Sequence, residues 1–225
     1  MNYHQRLRIR YPGTAAFFLI LALHNLAQGG ILRTDSLLTA TLQGSNDHPV
    51  WNLTMESISL LTPVVEVGWT LRQGYLGCAG SDPRAAETFR LAAGSLLITQ
   101  AAVTALKYAL KRERPARDYQ PRLWNTRITP SFPSGHTASS AAWAAIAAGR
   151  YPRSAPIAAA YALVSAWSQV YVGNHYVGDV LAGAVTGMVI GKWILSRTGG
   201  SSGADQDGHP LILPPITLGL RLELR

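Results

Sequence analysis

Three short clusters along this chain combine residue types that suit the handling of phosphate. The first is Lys107 with Arg114 and Pro115. Pro115 disfavours helix at Arg114, so a helix that carries Lys107 should end before it. Two cations at a helix end can hold one anion from two directions, Arg114 as a planar fork and Lys107 as a point charge. A basic flank on a membrane helix has the same look, so this cluster alone decides little. The second cluster is Pro133-Ser134-Gly135-His136-Thr137. Ser134 suits a helix N-cap. The Gly135 and His136 amides then fall among the unpaired N–H groups of the first turn, which attract an anion together with the helix dipole. His136 beside that anion titrates near neutral pH and suits a general acid for a leaving oxygen. A capped helix with an incidental histidine is the plainer reading. The third cluster is His175 and Asp179. On a helix, residues four apart share a face, so Asp179 can fix one imidazole nitrogen and leave the other free as a nucleophile. A local ion pair is the plainer reading. It is weakened by the apolar run that Asp179 opens, because a carboxylate in a membrane-type helix is a functional candidate by default.

The elements that must position these clusters read as helices. The chain has 225 residues, 48% hydrophobic and only 14% charged, which excludes a disordered chain and a charge-rich coiled coil. A single cysteine, Cys78, excludes a disulfide framework and a cysteine-based zinc site. The charges avoid 14–32, 55–80, 91–110, 137–149, 155–174 and 176–195, apart from Glu56, Glu66, Arg72, Lys107, Asp179 and Lys192. These segments predict about six helices, several of them near the length of a membrane span. The fold class expected is all-α, a membrane-spanning helical bundle. Glu66 is expected mid-helix, paired within the bundle. His24 reads as an interior or interfacial histidine, and Trp51, Trp69, Trp124, Trp167 and Trp193 as interfacial anchors at helix ends. Mean hydropathy is +0.09, low for a polytopic membrane protein and high for a soluble one.

With six spans and a cytoplasmic N-terminus, the cytoplasmic segments each carry positive charge, from Arg6, Arg8 and Arg10 through Arg84, Arg90, Arg150 and Arg153 to Lys192 and Arg197. Segment 111–132 breaks that rule: Lys111, Arg112, Arg114, Arg117, Arg122 and Arg127 fall on the outer side. A basic cluster there needs a reason, and binding phosphate is one. The basic start followed by 14–23 also fits a secretory signal, although no clear cleavage site follows it. The whole chain carries 20 Lys+Arg against 12 Asp+Glu, a net charge of +8 that favours a polyanionic partner.

Lys107-x6-Arg114-Pro115, then Pro133-Ser134-Gly135-His136, then Ser168-x6-His175-x3-Asp179 together resemble the type 2 phosphatidic acid phosphatase (PAP2) superfamily. That superfamily holds lipid phosphatases, bacterial class A acid phosphatases and vanadium haloperoxidases. The resemblance spans 107–179 and extends less specifically to Asp35 and the helix from Trp51 on. It implies metal-independent hydrolysis of a lipid phosphate or isoprenyl diphosphate, with His175 as nucleophile through a phosphohistidine, Asp179 orienting it and His136 protonating the leaving group. Lys107, Arg114, Ser134, Gly135 and Gln169 would bind the phosphoryl oxygens. No cofactor and no metal are implied, and vanadate should bind as a phosphate mimic. One position departs from the pattern. The family carries arginine after the serine of its third motif, and here that residue is Gln169. Glutamine donates hydrogen bonds without charge. A nearby arginine, among Arg117, Arg122 and Arg127, is the expected substitute.

The resemblance predicts one domain over 1–198, in the bacterial inner membrane, with its site on the periplasmic side. The partners expected are a lipid phosphate or diphosphate and the membrane itself, and no nucleic acid. Residues 199–208 read as a linker, and 216–225 alternate as a strand-like tail outside the resemblance. The competing readings are a soluble or peripheral periplasmic phosphatase, a vanadium haloperoxidase of unusually short length, and a non-catalytic binder of phosphate lipids. Gln169 is the sequence support for the binder.

Overall fold

The computed structural model describes residues 31–117, 119–123 and 127–197. The expected first span over 14–32 falls almost wholly outside the described residues, as do its signal-peptide reading, His24, Trp124 and the tail after 199. Six α-helices make up the described chain: α1 Ile31–Leu42, α2 Pro49–Cys78, α3 Pro83–Leu110, α4 Gly135–Arg150, α5 Ala155–Tyr171 and α6 Val177–Ser196. A single 3-10 turn, Pro152–Ser154, joins α4 to α5. Five of the six expected helices recur among the described residues, and a helix that was not expected, α1, occupies part of what reads in the sequence as an outer connection. Both α2 and α3 begin well before their uncharged runs. Asp82 caps α3, its side chain accepting from the Arg84 and Ala85 amides, and Pro83 opens the helix. A capped amphipathic turn carrying Arg84, Glu87 and Arg90 is thereby added to the apolar stretch.

By length and composition, α3 and α6 can each cross a membrane. The residue distribution on α2 makes the same point more directly. Its buried positions are Asn52, Met55, Glu56, Thr62, Glu66, Thr70 and Gln73, all polar except Met55. Its exposed positions include Leu53, Leu61, Val64, Val65, Val67 and Leu71. Polar residues inside with leucines and valines outside is the reverse of the pattern on a water-facing helix.

Helices α4 and α6 are packed backbone to backbone. Gly183, Gly187 and Gly191 form a stripe along α6, four residues apart. A methyl group at these positions would lie 2.5 Å from the Ser134 carbonyl oxygen, 1.9 Å from that of Ala138 and 2.8 Å from that of Ala142. Small residues at this spacing let helices in a membrane approach closely. On the far side, α4 presents Trp143 to Trp69 of α2, with ring centroids 5.3 Å apart, and to Tyr161 of α5, at 5.0 Å. Trp69 therefore lies mid-helix inside the bundle, where helix-end anchoring had been expected, because α2 runs through to Cys78.

Candidate functional site

The N-termini of α4 and α6 meet at one end of the bundle, and the three motifs collect there. Ser134 is the N-cap of α4, its side chain accepting from the Thr137 amide. Its own amide donates to the Asp179 carbonyl at 3.0 Å, which ties the second motif to the first turn of α6. Lys107, in the last turn of α3, sends Nζ to the carbonyls of Pro130 (2.6 Å) and Ser131 (3.2 Å). It braces the loop that leads into Ser134, with one ammonium proton left over.

His175 does not share a helix with Asp179. α6 starts at Val177, with Tyr176 as its N-cap, so His175 lies in the preceding turn. That turn depends on Gly173, whose φ of 67° is a left-handed conformation that suits glycine. The His175 amide then donates back to the Gln169 carbonyl at 3.2 Å. Across the helix start, His175 Nδ1 stands 3.6 Å from Asp179 Oδ2 and has no hydrogen-bond partner. This is an electrostatic contact, longer than a hydrogen bond. Such contacts commonly tighten when substrate binds.

A cavity of about 320 Å³ opens at this point, lined by Ser59, Leu60, Pro63, Arg114, His136, Gln169, Asn174 and His175. Arg114 is held rigidly: Nε donates to the Thr129 carbonyl, Nη2 to the Thr129 hydroxyl and Nη1 to the Asn174 carbonyl, at 2.8–3.0 Å for the first two and 2.7 Å for the third. Two of its five protons stay free for a ligand. Burial first, then the nearby charges of Arg127 and Arg117, holds the Arg114 guanidinium down to about 10, with Asp179 opposing. It is charged at neutral pH, and an anion would relieve the repulsion around it. Burial likewise holds the His175 imidazole down to about 4. Asp179 pulls it upward, while Lys107 and Arg114 push it further down. At neutral pH the ring is uncharged, and the nitrogen away from Asp179 keeps its lone pair.

Gln169 is fully buried in the cavity wall. Its amide nitrogen donates to the hydroxyls of Ser59 (2.8 Å) and Ser168 (3.4 Å), and its oxygen accepts from Asn174 at 3.3 Å. Both amide protons are therefore spent on the protein. None of the three candidate substitutes lines the cavity. Arg117 reaches the Val172 carbonyl at 3.1 Å, Arg127 reaches the Pro115 carbonyl at 2.5 Å, and the Arg122 amide binds Glu56.

Asp35 and Arg112 join Asp179 at this end of the bundle. Arg112 was hidden in the sequence among six cations of one basic run, and nothing in its spacing separated it from them. Ser131 donates a hydrogen bond to Asp179 Oδ2. Its nearest sequence signal was its place two residues before Pro133.

Comparison with known proteins points the same way. The model of the PAP2 superfamily matches residues 89–200. A search of curated proteins finds no match. Among solved structures, the first transmembrane PAP2 type phosphatidylglycerolphosphate phosphatase from Bacillus subtilis is similar with a TM-score of 0.65. The match covers 85% of this chain and 98% of that one at 20% identity, a likeness of fold.

Proposed function

The chain belongs to the PAP2 superfamily, and from that premise we propose that it is a metal-independent phosphatase acting on a lipid phosphate or isoprenyl diphosphate. One observation carries the reading: a single cavity is lined both by Arg114, His136 and His175 and by Leu60 and Pro63. The cations and histidines suit a phosphoryl group, and the two apolar residues suit the start of an acyl or prenyl chain.

In this mechanism the free nitrogen of His175 attacks phosphorus, and the bond from phosphorus to the leaving oxygen breaks. His136, whose imidazole is pushed down by burial and then by Arg114 and Lys107, takes up a proton once the phosphate anion offsets those cations and gives it to that oxygen. Water then attacks the phosphohistidine, returning its proton to His136 and releasing phosphate. Asp179 holds the imidazole and complements the positive charge it acquires. Arg114, Lys107, Ser134 and the Gly135 amide stabilise the phosphoryl oxygens, a cationic cradle suited to a reaction that is mostly positioning and charge stabilisation. Gln169 acts through the cavity wall it forms with Ser59 and Asn174. The site is assigned to the periplasmic side of a bacterial inner membrane, where the basic segment 111–127 forms a rim for anionic headgroups.

The test is phosphate release by the purified protein in EDTA from phosphatidate, phosphatidylglycerol phosphate, undecaprenyl diphosphate and p-nitrophenyl phosphate, with His175→Ala alongside. Release from the lipids that vanishes in the variant and is inhibited by vanadate is the expected result. No release from any substrate by folded protein would refute it and favour the non-catalytic binder.

A further inference from the structure

Asp179 is held by more than the imidazole beside it. Arg112, on the chain leaving α3, sends Nη1 to Asp179 Oδ1 at 2.6 Å and Nη2 to Asp35 Oδ2 at 2.7 Å. All three side chains are buried, at 8%, 0% and 7% exposure for Arg112, Asp179 and Asp35. The second Asp35 oxygen accepts from the Gly178 amide at 2.9 Å, in the first turn of α6. Gly178 leaves just enough room for it, since a methyl group there would lie 2.9 Å from Asp35 Oδ2. The Tyr176 ring covers the guanidinium with its centroid 4.0 Å away. The Arg112 carbonyl accepts from the Ser131 amide at 2.7 Å, and the Ser131 hydroxyl donates to the other Asp179 oxygen.

We infer that Arg112 and Asp35 are positioning residues for Asp179: the guanidinium fork fixes one carboxylate oxygen so that the other faces His175, and Asp35 keeps the cluster net negative. The inference rests on the reaction proposed above. Its physical basis is charge counting in a buried space. Arg112 paired with Asp179 alone would form a neutral pair and leave little field for a charged imidazole. A second carboxylate on the same guanidinium leaves one net negative charge, which the positive phosphohistidine complements. Burial opposes the charge on Arg112, but Asp179 and Asp35 outweigh it and keep the guanidinium protonated. The other charges facing Asp179 are His175 from the turn before α6 and, at longer range, Lys107 from α3 and Arg114. All of these are cations or become so; Asp35 is the carboxylate that shares the Arg112 guanidinium with Asp179, and Glu113 acts on the Tyr176 ring that covers it.

The experiment uses the full chain in detergent micelles, with phosphatidylglycerol phosphate and p-nitrophenyl phosphate as substrates. It reads two quantities, the kcat and KM of phosphate release and the titration of the His175 imidazole by NMR. Arg112→Gln removes the cation, so the His175 midpoint should rise by about one pH unit, and kcat should fall at least about 10-fold with KM within about twofold. Asp35→Asn keeps an oxygen for the Gly178 amide and should lower the midpoint. The Arg112→Gln/Asp35→Asn double variant restores the net charge, so its midpoint should return toward that of the unmodified protein while kcat stays low. Arg112→Lys keeps the charge without the fork, and should hold the midpoint while losing kcat. A purely structural role would not return the midpoint in the double variant. Midpoints and kcat unchanged in Arg112→Gln and Asp35→Asn would overturn the inference. If Arg112→Gln does not fold, Asp35→Asn decides alone by its midpoint. If the unmodified protein releases no phosphate, the proposed function fails, and the His175 titrations still decide the clamp.

Discussion

Adding one methyl group at Gly187 should damage a site that lies two helical turns away. The position is on the face of α6 that meets α4, and a Cβ there would come 1.9 Å from the Ala138 carbonyl oxygen and 3.0 Å from the Ala142 nitrogen. Ordinary contact begins at 3.4 Å, so the two helices must part by about 1.5 Å at this level. The Ala138 oxygen is backbone in the first turn of α4 and cannot swing aside as a side chain would. From Gly187 to Asp179 is eight residues, about 12 Å along the helix. Midway between them, a methyl group at Gly183 would lie 2.5 Å from the Ser134 carbonyl oxygen, so the helices are as close there. Parting the helices therefore separates Ser134 and His136 on α4 from Asp179 and His175 at the start of α6. Overpacking of this kind costs about 1–3 kcal/mol, and a misplacement of about 1 Å at a reacting centre costs on the order of 100-fold in rate. The assay is thermal unfolding in detergent together with phosphate release. Gly187→Ala should lower Tm by about 2–4 °C per kcal/mol and cut kcat by about 100-fold. Gly68→Ala and Gly94→Ala are the controls: both lie in helices, and a methyl group at either meets nothing within 4 Å. They should hold or raise Tm, since alanine is the better helix former by about 0.5–1 kcal/mol. A Gly187→Ala protein matching these controls in both Tm and rate would refute the claim that α4–α6 contact sets the site.

Other perturbations separate site from scaffold. The folded-state midpoint of His175 lies at about 4, below its ordinary 6.5, so its stabilising contribution is complete above pH 6.5 and is lost as pH falls toward 4. At about 1.4 kcal/mol per unit, that loss approaches about 3 kcal/mol; burial holds the His136 imidazole down to about 4 as well, so denaturant unfolding between pH 7 and pH 4 should show a loss in both proteins that is smaller by about that amount in His175→Ala. Gln169→Arg should raise kcat/KM on phosphate esters by about 10- to 100-fold if the new guanidinium reaches the cavity. An unchanged rate in a folded variant would show that position 169 makes no phosphate contact. Asp82→Ala removes the cap from α3 at the opposite end of that helix from Lys107 and should cost about 1 kcal/mol of stability, with specific activity within about twofold of the unmodified protein. A large activity loss there would mean that α3 transmits strain along its length.

The parts of the site that were legible in the sequence were those written locally. Ser134 before a run of alanines spells a cap, and Lys107 before Arg114-Pro115 spells a helix end, because both signals lie within a few residues of the groups they place. What could not be read joins distant segments. Asp35 meets Arg112 across 77 positions, and Arg112 meets Asp179 across 67. The geometry of His175 and Asp179 was expected to follow from four-residue spacing on a helix. It follows instead from the turn at Gly173, which places His175 ahead of the helix and aims it back across the N-terminus. The glycine stripe on α6 was present in the sequence at regular spacing. Its meaning depended on which helix lay opposite, and no spacing within α6 names α4. The short helix α1 escaped because its charges and its length resemble a connection, and what it contributes to the cluster is one carboxylate.

The same limit explains the low mean hydropathy. On α2, side chains that would ordinarily argue against a membrane helix make its contacts with the bundle. The Tyr171 hydroxyl donates to Asn52 at 2.7 Å, and the Arg122 and Leu123 amides donate to Glu56 at 2.7 and 3.0 Å. Further along, Thr62 reaches the Ser165 hydroxyl at 3.2 Å, Tyr161 donates to the Thr62 carbonyl at 2.8 Å, and Tyr151 donates to Gln73 at 2.9 Å. Between these rungs Ser59 receives the amide of Gln169, so the wall of the cavity is one rung in the series. In lipid, apolar burial gives helices little reason to associate, and hydrogen bonds and close packing supply it instead. Polar residues on the inner face of α2 are then the packing code of the bundle, and counting them against membrane character inverts their meaning. It also follows that α2 and α5 are registered by directional contacts, which tolerate less sliding than apolar ones. A cavity wall built from such a pair keeps its shape beside the histidines.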